Sequence, residues 1–368
     1  MTSSTYPTYA SLGVRPLINC RGTLTLYGGS LMLPEVRLAM HEASKSFVHL
    51  DELMAHVGTR IATLMGSEAA LVTNGCAAAL CQVTAACVAG TDPDKIKRLP
   101  DTTGMKNEAI TLASHRHVYD HAIRMVGVRM VEVENASAMA AAFNERTALV
   151  AVFGDRAGNS EMTVSEIVAL AHAHGVPVLV DAAAERPDSP DRYLADGVDV
   201  VTYSGGKCLR GPQSSGLALG RKDILAAAFM NGAPHHSIGR PMKASKEEVM
   251  GLLAAVEQWQ KRDHEAEWKQ WEGYLKTVAD AVSTLASIET EIRQPGRSNV
   301  MPTMEIRWDQ QRIKLTPKQV ERQLSDGNPR IEMSSGDRGV HMLPYMMEPG
   351  EDRLVAERLT ALLRNGVD

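Results

Sequence analysis

Short apolar runs alternate with amphipathic stretches along the first two thirds of the chain, a pattern that predicts repeated βα units. The runs fall at 69–73, 110–113, 128–133, 148–153, 176–180 and 198–203 and are rich in Val, Ile, Leu and Ala. Repeated units of this kind imply a largely parallel sheet covered by helices on both faces. A further strand at 217–219 is open to an antiparallel placement. Helices are expected at 34–47, where Pro34 opens the pattern, and at 51–65. Others are an Ala-rich segment ending at 89 and segments near 119–126, 137–144, 163–174 and 191–195. Thr163 with Glu166 has the spacing of a capping box. Gly22, Gly28 and Gly29 mark residues 1–33 as an irregular arm. After Gly239-Arg240-Pro241 the rhythm changes. A long helix, or two, is expected at 246–285, then strands at 287–292, 301–308 and 330–333 with helices at 316–325 and 351–365. The division read from this is an arm and helix at 1–45, a large α/β domain at 46–243 and a smaller α+β domain at 244–368.

With 368 residues, 44% apolar and 23% charged, the chain can form two domains with a sizeable core. Aromatics are few and Met frequent, so that core is aliphatic and Met-filled. A net charge of −5 without a basic run argues against nucleic acid as a partner. Five cysteines, none in a Cys-x-x-Cys pair, fit a reducing, cytoplasmic setting. Residues 1–13 lack the charged and apolar regions of a signal peptide, and no apolar run reaches membrane-spanning length, so no membrane partner is expected.

In open α/β sheets, ligands sit beyond the carboxyl ends of the strands. Asn74, His115, Asp181 and Lys207 all fall at such ends. Lys207 lies in Tyr203-Ser204-Gly205-Gly206-Lys207-Cys208-Leu209-Arg210-Gly211-Pro212-Gln213, a glycine-rich turn that lacks P-loop spacing. A lysine and a carboxylate at the ends of neighbouring strands suit pyridoxal phosphate (PLP). The lysine forms a Schiff base, and Asp181 holds the pyridine nitrogen protonated. The competing readings are a solvated loop lysine and an Asp that merely caps a helix. Ala183, in Asp181-Ala182-Ala183, offers a small surface to a flat ring. Asn74-Gly75-Cys76-Ala77 joins a strand to a helix N-terminus, which is a phosphate seat or an ordinary βα turn. Ser204 could add a hydroxyl to the same phosphate. His115 could stack on the ring. A metal site from His115, His117 and His121 lacks acidic or Cys company, so no metal is expected. Arg21, Lys106, Arg156, Arg240 and Lys243 lie in loops and are candidate anchors for an anionic substrate, with surface ion pairs as the alternative. His235 and His236 line an entrance or are solvated.

Ser204-Gly205-Gly206-Lys207 with Gly211-Pro212-Gln213 resembles the lysine loop of the selenocysteine synthase-like PLP-dependent family, near the class V aminotransferases. Ile18-Asn19 with Gly22-Thr23, the segment from Leu99 to Glu108, Ser114-His115-Arg116 and Gly239-Arg240-Pro241-Met242-Lys243 are similar to its D-glucosaminate-6-phosphate ammonia-lyase branch. The resemblance covers most of 15–260. It implies a fold type I enzyme with a mostly parallel, seven-stranded-type sheet, PLP bound in 46–243, and a homodimer or larger assembly with sites at subunit interfaces. It also implies a lyase that eliminates from a β-hydroxy amino acid, such as an amino sugar acid like D-glucosaminate 6-phosphate, to a 2-keto acid and ammonia. A racemase or epimerase, an aldolase and an aminotransferase share the same carbanion chemistry. The acidic charge and the lack of an evident tRNA-binding domain point away from a selenium transferase.

Overall fold

The structure, a computed structural model, describes residues 6–296, 298 and 300–367. The chain divides into two compact units, one built mainly from 30–262 and one from the N-terminal arm with the residues after 262.

The first unit carries a seven-stranded sheet. Its strands are β1 (Ala69–Thr73), β2 (Glu108–Leu112), β3 (Arg129–Val133), β4 (Thr147–Phe153), β5 (Val178–Asp181), β6 (Val200–Ser204) and β7 (Gly216–Gly220), in the order β1-β7-β6-β5-β4-β2-β3. All neighbours are parallel except β7, which runs antiparallel to both β1 and β6. The mostly parallel α/β sheet anticipated from the pattern is therefore present, with 217–219 as its antiparallel member.

Strand periodicity sorts the side chains onto two apolar faces. Val150, Val152, Val178, Val180, Val201 and Tyr203 pack on one face. That face lies against helices α1 (Pro34–Ala43), α2 (Leu50–Met65), Val164–Ala173 and Lys246–Trp259. Leu149, Ala151, Phe153, Leu179 and Val200 pack on the other, against α3 (Gly75–Ala89) and Lys222–Met230. α3 is apolar all round and buried along nearly its whole length, as a helix without a solvent face must be. Its alanines let it sit close to the sheet. Each Val or Leu buried this way contributes about 1.5–3 kcal/mol, so the two faces together dominate the unit's stability.

The second unit has a four-stranded antiparallel sheet, in the order Ser334–Ser335, Gly339–Met342, Thr303–Trp308, Ile288–Arg293. Along Thr303–Trp308, Met304, Ile306 and Trp308 are buried while Glu305 and Arg307 are only partly covered, the alternation of a sheet with one packed face. Helices His264–Val282, Pro317–Asp326 and Glu351–Asn365 supply the rest of its core.

Local differences from the sequence expectations have local causes. The helical stretch at 246–285 is two helices, because Asp263 caps the second by accepting from Ala266 N at 3.0 Å. The segment after 91, for which the sequence pattern names no element, contains a short helix, Pro93–Arg98, whose start is capped by Asp92. α1 ends at Ala43 rather than 47.

Candidate functional site

Asp181 ends β5 on the parity of Leu179, so its side chain points to the α3 face. Thr202 pairs with Asp181 across β5 and β6 and shares that face, as does Ser204 two residues on. The first turn of α3 lies over these strand ends. Cys76 Sγ stands 3.2 Å from Thr202 Oγ1 and 3.4 Å from Asp181 Oδ1. Thr202 in turn donates to Val180 O at 3.1 Å. Asp181 Oδ1 also accepts from Ala183 N at 3.0 Å. Oδ2 has no hydrogen-bond partner among the described residues. Asp181 is only 9% exposed. Burial pushes its carboxyl up, while the Ala183 amide, Cys76 and the Lys207 ammonium pull it back down.

The strand-to-helix turn at Asn74–Gly75 is shaped for close approach. Gly75 has φ +75°, and nothing stands within 4 Å of where a Cβ would be. Thr73 Oγ1 donates to Gly75 O at 2.9 Å, and Asn74 Nδ2 donates to Lys243 O at 3.4 Å. The result is an open cradle at the N-terminus of a 15-residue helix, where free amides and the helix dipole favour an anion. Ser204 Oγ, half-buried at the end of β6, has no partner among the described residues.

Lys207 is carried on a loop folded tightly on itself. Gly205 N donates to Ser215 O and Gly211 N donates to Gly205 O, both at 2.8 Å. A Cβ on Gly206 would stand 2.5 Å from Gln213 Cα, which requires glycine there. Arg210 adopts φ +56°, a left-handed conformation uncommon outside glycine. Its guanidinium donates to Leu31 O at 3.0 Å, and Ser30 N donates to Gly206 O at 2.9 Å. The Lys207 ammonium is half-buried, has no hydrogen-bond partner among the described residues, and acts electrostatically on Asp181 and Cys76.

His115 lies in a short turn just after β2, not in the strand itself. It is 0% exposed, and neither ring nitrogen has a hydrogen-bond partner among the described residues. Burial lowers its basicity, with Glu161 and Asp155 opposing and Arg156 adding to the effect. Arg156 is exposed beside Asp155, at 3.7 Å. Arg240 and Lys243 carry no ion pair among the described residues. Their loop is fixed by glycine: a Cβ on Gly239 would stand 2.5 Å from Asn231 O and 3.0 Å from Gln82 Cγ of α3. Arg21 lies in the other unit, where it donates to Tyr27 Oη at 3.0 Å and stands 3.6 Å from Glu321.

Sequence reasoning missed Thr202, and it missed the buried acids behind the site. Tyr193 Oη donates to Glu185 at 2.6 Å and Tyr203 Oη donates to Asp191 at 2.5 Å. A polar Thr in an otherwise apolar strand, at the parity of Ser204, was the signal for Thr202. Among the described residues no group of three His, Cys, Asp or Glu side chains has a metal-holding arrangement.

These residues fit PLP. A buried carboxylate with one oxygen unpartnered suits a pyridinium. A glycine cradle at a helix N-terminus suits a phosphate, and a lysine without a partner lies within electrostatic reach of the carboxylate.

Comparison with known proteins agrees. Residues 52–221 match the family of Cys/Met metabolism PLP-dependent enzymes. The chain is 30% identical to D-glucosaminate-6-phosphate ammonia lyase of Salmonella typhimurium over 376 residues, covering 98% of this chain and 99% of that one. It is 37% identical over 264 residues to a 5'-C-glycyluridine monooxygenase-decarboxylase of a Streptomyces species, covering 68% and 65%. It is 25% identical over 287 residues to the L-seryl-tRNA(Sec) selenium transferase of Moorella thermoacetica, covering 68% and 57%. A solved structure of D-glucosaminate-6-phosphate ammonia-lyase superposes with a TM-score of 0.87 at 29% identity, over 99% of this chain and 100% of that one. A PLP-bound serine palmitoyltransferase, at 14% identity and a TM-score of 0.58, shares the fold alone. The chain is thus a fold type I, PLP-dependent enzyme and belongs to the lyase family of D-glucosaminate-6-phosphate ammonia lyase.

Proposed function

We propose that this enzyme eliminates across Cα–Cβ of a β-hydroxy amino acid with an anionic tail, of the amino sugar acid type represented by D-glucosaminate 6-phosphate, and releases a 2-keto acid and ammonia. The observation that carries the reading is the buried Asp181 carboxylate with Oδ1 committed and Oδ2 unpartnered. PLP, when bound, supplies an electron sink that lets the Cα–H bond of an amino acid break.

The chain's residues do the rest. With PLP bound, Lys207 Nζ would be its covalent anchor and, as a free amine, would take the Cα proton. Asp181 Oδ2 keeps the ring nitrogen protonated. The Gly75–Cys76 turn, with Asn74 and Ser204, seats the phosphate through amides and a hydroxyl. Ala183 and His115 bound the ring, and the buried His115 keeps water from that side. Arg240 and Lys243, with Arg156 as a further anchor, hold the anionic groups of the substrate. Water is lost across Cα–Cβ and one is regained when the C–N bond is hydrolysed, so keto acid and ammonia leave in equal amounts.

The unpaired Arg240 and Lys243 support an anionic substrate, and the near full-length similarity to an ammonia lyase supports elimination over racemisation, aldol cleavage or amine transfer. A cytoplasmic homodimer or larger assembly is part of the same proposal. Among the described residues no helix is long and apolar enough to cross a membrane. A panel of D- and L-β-hydroxy amino acids and amino sugar acids, with ammonia and keto acid as readouts, tests the reading. Stoichiometric ammonia from an anionic member supports it, and retained amine or inverted Cα overturns it.

A further inference from the structure

Cys76 enters the site through two different groups. Its backbone opens the helix that forms the phosphate seat, while its side chain turns back under the strand ends to Asp181 and Thr202. The thiol is buried and carries a single proton. Thr202 spends its own hydroxyl proton on Val180 O, so toward Cys76 it can only accept. The S–H therefore has two candidate acceptors, the Thr202 hydroxyl oxygen and Asp181 Oδ1. A carboxylate is the stronger acceptor, because a hydrogen bond to an ionised group is roughly twice as strong as one between neutral groups.

On the reading of Asp181 as the partner of the ring nitrogen, we propose that the Cys76 thiol donates to Asp181 Oδ1 and thereby keeps the proton of the pair on the ring rather than on the carboxylate. The physical need is specific. Burial favours a neutral Asp181, and a neutral carboxyl leaves a pyridine that is a poor electron sink. Ala183 N–H, Cys76 S–H and the positive end of α3 oppose that, and Asp155 acts in the other direction. Of the donors, only Cys76 is a side chain that substitution can remove without touching the backbone. Burial and the Asp181 charge hold its own thiol well above the ordinary range, so it remains a donor throughout neutral pH. Cys76 is thus a positioning and tuning residue. It acts on the cofactor through Asp181.

The test uses the full-length protein with and without PLP. Without PLP, the S–H stretching band that disappears in Cys76→Ser is followed in Asp181→Asn and Thr202→Val. The proposal expects that band to move toward a weaker hydrogen bond in Asp181→Asn. A band that stays in place in Asp181→Asn overturns the proposal whatever Thr202→Val does, because the thiol then donates to Thr202.

With PLP labelled with nitrogen-15 in the ring, Cys76→Ala is expected to shift the resonance toward unprotonated pyridine. PLP affinity is expected to fall by about three- to tenfold, the loss of one weak donor to a charged group. Cys76→Ser, which restores a donor, is expected to stay near wild type. An unchanged ring resonance in Cys76→Ala overturns the electronic role. If the wild-type chain binds no PLP, the cofactor reading fails and the electronic role with it, while the infrared band still decides whether the thiol bonds to Asp181.

Discussion

Gly216 lies bare against Cys76: a Cβ added to Gly216 would stand 2.6 Å from the Cys76 backbone nitrogen and would overlap the Gly75 carbonyl. Gly216 sits between Thr73 of β1 and Ser204 of β6 in register, so the antiparallel strand β7 is what brings the phosphate seat and the end of β6 side by side. Gly216→Ala must displace the Gly75–Cys76 turn. An overpacked site of this kind costs about 1–3 kcal/mol. PLP binding, measured by equilibrium dialysis, is expected to weaken about tenfold or more, with a smaller change in thermal stability. Unchanged affinity would place the phosphate elsewhere.

Asp181→Asn keeps the shape of the site and removes the charge that Oδ2 offers. Cofactor binding is expected to persist, while turnover in an ammonia-release assay drops about a hundredfold or more, the scale seen when one electrostatic partner of a transition state is lost. Retained turnover would remove Asp181 from the ring nitrogen.

The parts of the fold that rest on long-range repetition were legible in the sequence. Apolar strands at regular intervals announced the parallel sheet, and strand ends carrying Asn74, Asp181 and Lys207 announced one edge of it. Thr202, at the parity of Ser204 along β6, was not singled out, because only the register of β5 and β6 sets it beside Asp181. What could not be read was which side chains meet across elements. The contact of Cys76 with Asp181 depends on how far the Ala-rich α3 sinks onto the sheet. The pairs of Tyr193 with Glu185 and Tyr203 with Asp191 depend on how the irregular segment between β5 and β6 folds back, which no periodicity fixes. Arg21, a candidate read from its glycine-marked loop, has partners in its own unit, Tyr27 and Glu321, that no local pattern names.

Arg240 carries a half-buried guanidinium with no ion pair among the described residues. If it binds a substrate anion, Arg240→Ala is expected to raise KM about ten- to a hundredfold, the equivalent of one charge-assisted hydrogen bond, with less change in kcat. Steady-state kinetics on an active member of the substrate panel checks this. A loss confined to kcat would give Arg240 a different role.

Burial pushes Cys81 and Cys87 up to about 12 and Cys208 to about 11, and holds Cys20 and Cys76 above the ordinary range. At pH 8 the Cys208 thiolate fraction is about one in a thousand, so alkylation by iodoacetamide is expected to run about a hundredfold slower than for an exposed cysteine. Because these folded values exceed the unfolded one, their contribution to stability is complete below about pH 9 and is lost as pH rises through 11–12. Mass spectrometry of labelled protein before and after denaturation, with melting curves from pH 7 to 11, tests both statements. Rapid labelling of the folded chain would contradict them.

The most direct test of the whole account is covalent. Borohydride treatment of the PLP-loaded enzyme, followed by peptide mapping, is expected to place the reduced cofactor on Lys207 alone and to find no adduct in Lys207→Ala. An adduct on another lysine, or one that persists in Lys207→Ala, would contradict the assignment on which the site is built.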